Sequence, residues 1–341
     1  MNLPRWAGRG WITLALATLL SPTARVTAQT PVRSIERLDP ALDALVAPDA
    51  KIELLADGFD WTEGPVWSKS GGYLLFSDIP RNAIHQWKDG QGVSLYMRPA
   101  GYAGSSPYGR ELGSNGLTFD ANGELVMADH GNRQVSRVDS VTFTKTALVD
   151  RYNGKRFNSP NDVVLSRAGD LFFTDPPYGL WKLNADPAKE LDFNGVFRLS
   201  RTGVLTLLTR ELTFPNGIAL SPDERTLYVA VSDPARPIWM AYDLQADGTL
   251  ARGRVFFDAS ALAKSGRKGL PDGMKVDAAG NVFASGPGGI LIFSPQGKHL
   301  GTIATGETTA NCAFGDDGST LYMTANHTLM RVRLRTRGPG F

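Results

Sequence analysis

The chain has 341 residues, of which 42% are apolar and 21% are charged, a composition typical of soluble globular proteins. The formal net charge is +2 and the basic residues are scattered, so no concentrated positive patch indicates nucleic-acid binding. The single cysteine, Cys312, excludes an intramolecular disulfide and a cysteine-based metal site, so packing alone has to stabilise the fold.

Residues 1–28 are predicted to be a cleaved export signal. Arg5 and Arg9 precede the apolar run Trp11–Leu20, and Val26-Thr27-Ala28 follows as a small-x-small cleavage site. The apolar run is far shorter than the roughly 20 residues that span a bilayer. We therefore expect an exported protein, periplasmic or secreted, with no membrane span. Removing this segment takes away three arginines and no acidic residue, so the mature chain is close to neutral.

One pattern occurs six times in the rest of the chain. Each copy begins with a polar head residue, continues with about four mostly apolar residues and a turn, and ends with four or five more apolar residues. Successive heads are 39 to 56 residues apart, a spacing typical of propeller repeats, in which each repeat forms a four-stranded blade. The heads are Glu63, Asn115, Asn161, Asn216, Asp272 and Asn311.

Six copies predict an all-β fold, a six-bladed β-propeller over residues 49–337, with residues 29–48 as an N-terminal extension. Strand-like runs between the copies, such as those at 195–200 and 238–244, would supply outer strands. A propeller closes on itself and leaves no long exposed sheet edge. We therefore expect residues 51–59, before the first head, and residues 329–336, after the last copy, to meet in one blade.

The six heads are predicted to form a ring at one end of the central channel, because the inner strands of the blades are equivalent. Any single head is also explained as a turn residue, since Asn-Gly and Asp-Gly are strong turn dipeptides. However, the hairpin turn of each copy lies further along the chain, and Glu63-Gly64-Pro65 is a poor turn-former. Every head has a side-chain oxygen, which turn chemistry does not require. The set therefore favours a functional ring.

A ring of oxygen ligands predicts a hard cation in the channel. Ca²⁺ takes six to eight oxygens from carboxylates, amides and water, whereas Zn²⁺ prefers His or Cys and Mg²⁺ demands octahedral geometry with more water. We expect one divalent cation in a central metal-containing channel, with Ca²⁺ preferred and Zn²⁺, Mg²⁺ or Mn²⁺ as alternatives.

Five motifs in the chain resemble the gluconolactonase/senescence-marker protein/luciferin-regenerating enzyme family. The resemblance extends from about residue 50 to 335 and is most similar to the bacterial gluconolactonase branch. The motifs are WTEGPVW at 61–67, NSPNDVV at 158–164, TDPPYG at 174–179, FPNGIALSPDE at 214–224 and LPDGMKVD at 270–277.

This resemblance implies a six-bladed propeller that binds one divalent cation through Glu63, Asn216 and Asp272. Asn161 matches an asparagine that binds the metal in some relatives and the substrate in others. Asp272 matches the aspartate that accepts and donates protons. Related diisopropyl-fluorophosphatases and paraoxonase-like enzymes share the ring but hydrolyse other esters. The resemblance therefore implies the metal-binding ring more firmly than the substrate.

Lactone hydrolysis is the chemistry that such a ring fits. A cation polarises the carbonyl of this cyclic ester, and a carboxylate beside it accepts a proton from water. The sequence therefore predicts a metal-dependent gluconolactonase-type hydrolase that opens an aldonolactone such as glucono-1,5-lactone to the free acid. Asp272 is the predicted base, and a nucleophilic role for it stays open.

Further residues are predicted to contact the substrate. His130 ends the second copy and either orients the substrate and shuttles protons or makes a structural hydrogen bond. Asp175 and Tyr178 are positioned to contact sugar hydroxyls, although Asp175-Pro176-Pro177 also fits a rigid turn. The full predicted substrate set is Asn115, His130, Asn161, Asp175 and Tyr178.

Motifs of other enzyme classes are missing from the chain: the sequence contains no G-x-S-x-G, Walker, G-x-G-x-x-G or H-E-x-x-H pattern in a suitable context. The expected partner is a small-molecule lactone. Two alternatives stay open: a diisopropyl-fluorophosphatase- or paraoxonase-like ester hydrolase, and a non-catalytic calcium-stabilised propeller that binds a partner on its rim. The sequence leaves the oligomeric state open.

Overall fold

Six antiparallel sheets surround a central channel in the computed structural model, which describes residues 32–105 and 109–341. The predicted signal at 1–28 lies outside these residues. The inner strands contact one another in a closed cycle, each with the inner strand of the next sheet and the sixth with the first. The predicted six-bladed β-propeller is confirmed.

Blades 1 to 3 each contain four antiparallel strands, which follow one another from the channel outward. Blade 1 consists of Thr62–Ser68, Tyr73–Asp78, Ala83–Lys88 and Gly92–Met97. Blade 2 consists of Leu117–Phe119, Leu125–Asp129, Gln134–Val138 and Lys145–Val149. Blade 3 consists of Val163–Leu165, Leu171–Asp175, Gly195–Leu199 and Leu205–Thr209.

Blades 4 to 6 have the same inside-to-outside order. Blade 4 consists of Pro215–Leu220, Thr226–Val231, Ile238–Leu244 and Leu250–Asp258. Blade 5 consists of Met274–Val276, Val282–Gly286, Gly289–Phe293 and His299–Ala304. Blade 6 consists of Thr309–Gly315, Thr320–Ala325, Thr328–Arg333 and Ile52–Asp57.

The two ends of the propeller meet in blade 6, as the sequence predicts. Its outer strand comes from the N-terminal side of the chain and pairs antiparallel with the last strand, with Ile52 opposite Val332 and Asp57 opposite Thr328. Backbone hydrogen bonds between distant parts of the chain therefore close the ring.

A second N-terminal segment joins blade 5. Ser34–Arg37 pairs with His299–Ala304 and adds a fifth strand to that sheet. The short helices and hairpin outside the blades are Pro40–Ala44, His130–Asn132, Leu183–Ala185, Ser260–Lys264 and the pair Arg151–Tyr152 with Lys155–Arg156. Within the described ranges, no helix has the length and apolar character needed to cross a membrane.

Apolar side chains fill the space between neighbouring blades, and six clusters occupy the six interfaces. Between blades 6 and 1, for example, Leu329 packs with Leu74 and Phe76, and all three are 0% exposed. Second strands such as Leu125–Asp129 are buried along their whole length because both faces of each sheet are covered. This packing holds the inner strands, and so the channel, in place.

Removing apolar volume from a blade interface is expected to destabilise the ring. Leu329→Ala should lower the free energy of unfolding by about 2–5 kcal/mol, since it leaves a cavity in the closing interface. Leu95→Ala is the matched control, because Leu95 lies on the outer strand of blade 1 and is 59% exposed. Its effect should stay within about 0.5 kcal/mol. Urea unfolding measures both; equal losses would contradict the packing argument.

Candidate active site at the channel mouth

The six heads lie where the inner strands begin or where their pairing is irregular. In blades 2, 3 and 5 the inner strand starts two residues after the head. In blades 1, 4 and 6 the pairing register shifts at the head, between Glu63 and Val66, between Pro215 and Ile218, and between Thr309 and Asn311. Such bulges redirect side chains, which places the heads at one end of the channel.

Glycines after four of the heads let neighbouring blades approach closely at the mouth. A Cβ on Gly64 would overlap the carbonyl of Asn115, and one on Gly217 would overlap the carbonyl of Asp272. A Cβ on Gly273 would likewise overlap the side-chain amide of Asn311. These glycines therefore bring the heads of successive blades together, a function distinct from the turn that Asn-Gly and Asp-Gly ordinarily indicate.

Hydrogen bonds complete the ring at the remaining blade junctions. The Gly116 N–H donates to the Asn161 carbonyl at 2.8 Å. Asp162 Oδ2 accepts from the Ile218 N–H at 3.1 Å, and Asn311 Nδ2 donates to Glu63 Oε2 at 3.1 Å across the junction of blades 6 and 1. The structure thus brings all six heads around one channel mouth, and their predicted roles as ligands and base stay predictions.

Glu63 and Asp272 bring negative charge into this mouth without a matching positive partner. Glu63 is 3% exposed, and Asp272 is partly exposed. Neither carboxylate forms an ion pair with a Lys, Arg or His of the described residues. Lys275 is the basic side chain that attracts Glu63, yet its Nζ donates to the Met274 carbonyl at 3.0 Å. When these two carboxyl groups ionise, no ion pair with a described basic side chain balances their negative charge.

Burial raises the pKa of both carboxyl groups. It raises the pKa of Glu63 to about 7, although the Gly64 N–H, 2.7 Å from Oε2, acts in the opposite direction. The pKa of Asp272 is raised well above its ordinary value by burial and then by the negative charges of Glu63 and Asp162. Like charges held together disfavour the ionised forms, so a cation between them would relieve a real electrostatic cost.

The chemistry of the donor set fits a hard cation. In the part of the chain that the structure describes, no three His, Cys, Asp or Glu side chains are grouped as metal ligands. A cation at the mouth would therefore need the amide oxygens of Asn161 and Asn216 as well as Glu63 and Asp272. Asn216 Nδ2 donates to Ser232 Oγ at 2.9 Å, which fixes the orientation of its amide.

Tyr178 lies beside this set. Its ring stacks on Phe214 with the centroids 5.8 Å apart, and its hydroxyl is buried next to Ser232 and Asn216. Burial raises the pKa of the Tyr178 hydroxyl, and the charge of Asp272 raises it further, so the phenol stays protonated. The hydroxyl is therefore a neutral group that can donate or accept a hydrogen bond beside the predicted ligands.

His130 is 1% exposed and lies against the loop that carries Asn161. Its Nδ1 is 3.1 Å from the Pro160 carbonyl, and its Nε2 is 3.0 Å from Glu111 Oε2. Glu111 belongs to the connection between blades 1 and 2, and sequence reasoning missed it because no motif surrounds it. The histidine thus has both a structural contact and a titratable neighbour.

Asp175 is fully buried, and its two oxygens accept the N–H groups of Asn158 and Ser159 at 2.8 Å. Asp78 of blade 1 accepts backbone N–H groups in the same way. This placement favours the turn interpretation over contact with a substrate.

Asp162 is the second residue that sequence reasoning missed. It follows the head Asn161, where four other copies have glycine, and it is 2% exposed. Its Oδ1 accepts the Val163 N–H at 2.9 Å. The sequence signal that could have identified Asp162 is this departure from the repeat. An acid in place of glycine adds an ionisable group next to the ring of heads.

The fold and the mouth together define a β-propeller protein with a ring of acids and amides around its channel. The family model described as "SMP-30/Gluconolactonase/LRE-like region" matches residues 61–327. This match covers well over half of the chain, which therefore belongs to that family.

Three proteins are similar over most of their length. Gluconolactonase of Zymomonas mobilis is 46% identical over 318 residues, covering 90% of this chain and 88% of that protein. Pentonolactonase XacC of Haloferax volcanii is 27% identical over 266 residues, with 77% and 80% covered. The structure of a gluconolactonase from Xanthomonas campestris matches with a TM-score of 0.76 and 32% identity, covering 88% of this chain and 94% of that one.

The raised carboxyl pKa values predict how stability depends on pH without a cation. A group whose pKa is raised by folding stabilises the fold at low pH, and this contribution is lost as the pH rises through the folded value. For Glu63 the loss is roughly 2–3 kcal/mol between pH 5 and pH 8. Chelator-treated protein should therefore unfold at lower urea concentration at pH 8, and Ca²⁺ should restore more stability there than at pH 5.

Glu63→Gln is the control for this prediction, because glutamine keeps the shape of the side chain and removes its titration. The variant should show a weaker pH dependence than the wild type. If it kept the full dependence, carboxylates elsewhere in the chain would be the cause.

Proposed function

We propose that this chain hydrolyses an aldonolactone, such as glucono-1,5-lactone, to the free acid in a reaction that depends on a divalent cation. The observation that carries the proposal is the pair of carboxylates without an ion-pair partner among the described residues, Glu63 and Asp272, in a ring whose other four heads are amides. The chain is a lactone hydrolase by its relatives, which include the gluconolactonases of Zymomonas mobilis and Xanthomonas campestris and a pentonolactonase.

Glu63, Asn161, Asn216 and Asp272 would hold the cation. An all-oxygen set with two carboxylates favours Ca²⁺, although Mg²⁺, Mn²⁺ and Zn²⁺ also accept such ligands. A bound cation would polarise the lactone carbonyl and stabilise the negative charge that develops on its oxygen.

Asp272 is the proposed base because it is the carboxylate of the pair that is partly exposed, so water can reach it. It accepts a proton from a water molecule as the water oxygen bonds to the carbonyl carbon. The bond from that carbon to the ring oxygen then breaks, and the ring oxygen takes up the proton that Asp272 accepted, which gives the hydroxy acid and returns Asp272 to its ionised form. Asn115 and Tyr178 line the same mouth and are proposed to hydrogen-bond the sugar hydroxyls.

Export stays a proposal as well. It rests on the composition of residues 1–28, and it places the hydrolysis outside the cytoplasm, where a lactone released or formed by another enzyme would be the substrate.

Replacing the base tests the mechanism. Asp272→Asn should lower kcat about 100-fold or more, because general-base catalysis contributes about that much and the amide cannot accept the proton. Acid release from a panel of aldonolactones in a pH-stat, corrected for spontaneous opening, measures the effect. Asp192→Asn makes the same change at an exposed side chain and should leave kcat unchanged.

The same assay tests the cation. Chelator should abolish acid release by the wild type, and added Ca²⁺ should restore it. An Asp272→Asn variant with full activity would show that the base is wrong. A wild type without chelator-sensitive release would contradict the proposal and favour a binding module.

Removing the Tyr178 hydroxyl is expected to weaken substrate binding. Tyr178→Phe should raise KM several-fold with little change in kcat, since it removes one hydrogen bond and leaves the carboxylates in place. Ca²⁺-dependent thermal stabilisation should not change. Tyr152→Phe is the control, because Tyr152 packs against Phe197, away from the ring. An unchanged KM would remove Tyr178 from the substrate site.

A further inference from the structure

Two buried hydroxyl groups, those of Thr174 and Ser232, contact the head of blade 4, Asn216. The pairing register of blade 4 shifts between Pro215 and Ile218, so Asn216 lies where the ladder of its own blade is irregular. Thr174 is 0% exposed and Ser232 is 9% exposed. Because a bulge interrupts the regular backbone hydrogen bonds, contacts from outside the ladder have to fix the position of this head.

Thr174 connects the heads of blades 3 and 4. It lies on the second strand of blade 3, and its backbone carbonyl accepts the Asn161 N–H at 2.9 Å. Its hydroxyl donates to the Asn216 carbonyl at 2.7 Å and accepts the Asp162 N–H at 3.2 Å. The direction of the first bond is certain, because a carbonyl oxygen only accepts. Thr174 therefore holds the backbones of both predicted amide ligands.

Ser232 determines the orientation of the Asn216 amide. Its hydroxyl donates to the Pro271 carbonyl, which can only accept a hydrogen bond. Because that bond uses the one proton of the hydroxyl, Ser232 presents a lone pair to Asn216. The lone pair selects Nδ2, which donates to Ser232 Oγ at 2.9 Å. The amide oxygen is thereby turned away from Ser232, and an oxygen is the atom that a hard cation binds.

These contacts form one chain of hydrogen bonds through three blades. The chain begins at the Asn161 N–H and ends at the Pro271 carbonyl, next to Asp272. It therefore connects three of the four residues that are predicted to hold the cation, although they come from blades 3, 4 and 5.

We propose that Thr174 and Ser232 are positioning residues that set the affinity of the channel mouth for its cation. Thr174 holds the backbone of Asn216, and Ser232 turns the amide oxygen of Asn216 towards the cation. This inference rests on the proposed function, which assigns the cation to this site. Replacing residues that hydrogen-bond to metal ligands lowers metal affinity by about 10- to 100-fold in other proteins.

Calorimetric titration of chelator-treated protein with Ca²⁺ tests Thr174 without any lactone. Thr174→Val keeps the shape of the side chain and removes the hydroxyl, so it should weaken Ca²⁺ binding about 10-fold or more. Thr174→Ser keeps the hydroxyl and should stay within about 3-fold of the wild type. Equal affinities in Thr174→Val and the wild type would overturn the role of Thr174.

The same titration tests Ser232. Ser232→Ala releases the Asn216 amide and should also weaken Ca²⁺ binding about 10-fold or more. Ser77→Ala is the matched control, because Ser77 is 0% exposed and its hydroxyl donates at 2.9 Å to the carbonyl of Asn115, a head outside the predicted cation ligands. Its affinity should stay within about 3-fold of the wild type. An equal loss in both variants would indicate a general loosening of the ring and overturn the proposal.

A carboxylate at position 216 tests whether Ser232 acts by orienting the amide. The two oxygens of a carboxylate are equivalent, so Asn216→Asp removes the need for orientation. Added to Asn216→Asp, Ser232→Ala should cost less than about 3-fold in Ca²⁺ affinity, against about 10-fold or more in the wild-type background. Equal costs in the two backgrounds would show that Ser232 acts through packing and would overturn its proposed role.

Acid release from an aldonolactone separates this inference from the proposed function. If both hold, the Ca²⁺ concentration for half-maximal release should rise in Thr174→Val and Ser232→Ala by the same factor as the Kd, and saturating Ca²⁺ should restore kcat. A low kcat at saturating Ca²⁺ with an unchanged Kd would place these residues in the reaction itself and overturn the inference. A wild type that binds Ca²⁺ but opens no aldonolactone would instead contradict the proposed function, and weaker Ca²⁺ binding by the two variants would still support the inference.

Discussion

The structure depends on holding several carboxylates together at the axis of a closed ring. Glu63 and Asp272 come from blades that are far apart in the sequence, and no basic side chain of the described residues pairs with either. Their mutual repulsion and their burial both oppose folding, so the energy that keeps them in place has to come from elsewhere. It comes from the apolar interfaces between blades and from the strand that closes blade 6.

Along each inner strand, the residues that stabilise the fold and the residues predicted to bind or react occupy different positions. Further along each inner strand the side chains are apolar and pack against the neighbouring sheet, as Leu117 and Val163 do. At the mouth the same strands begin with acids and amides, and pairing is irregular or absent. The regularly paired part of each inner strand is a rigid support. The irregular pairing at its beginning allows the head side chains to point into the channel. Side chains such as Glu63 and Asp272 can then lie in one mouth although their blades are far apart in sequence.

The wall of the mouth adds asymmetry to a repeated fold. Six equivalent blades would give six equivalent positions. Such symmetry by itself cannot give one position the role of an acid and another the role of a base. The connection between blades 1 and 2 brings Glu111 to one side, and the Tyr178 loop, which follows the second strand of blade 3, packs against it. Because these connections differ in length and sequence, one sector of the ring acquires the contact between Glu111 and the buried His130.

Much of the fold and of the candidate site could be predicted from the sequence, because a repeat is a local and regular pattern. The six heads, the blade number, the closure by residues 51–59 and the strands at 195–200 and 238–244 all follow from period-two patterning and spacing. The turn interpretation of Asp175 also follows, since Asp78 and Asp129 stand at the same repeat position. Asp162 was visible as an acid in a glycine position, yet its charge has meaning only beside Lys275 and Glu63, which are distant along the chain.

What the sequence determined by itself was therefore the repeat, the oxygen chemistry of its heads and the family to which it belongs. The tertiary structure alone decided which residues contact one another across the mouth. It showed that neighbouring blades approach closely at Gly64, Gly217 and Gly273, and that Glu111 lies next to His130. The physical reason is that strand formation depends on neighbouring residues, whereas a contact across a mouth depends on how six blades and their unequal loops close around an axis.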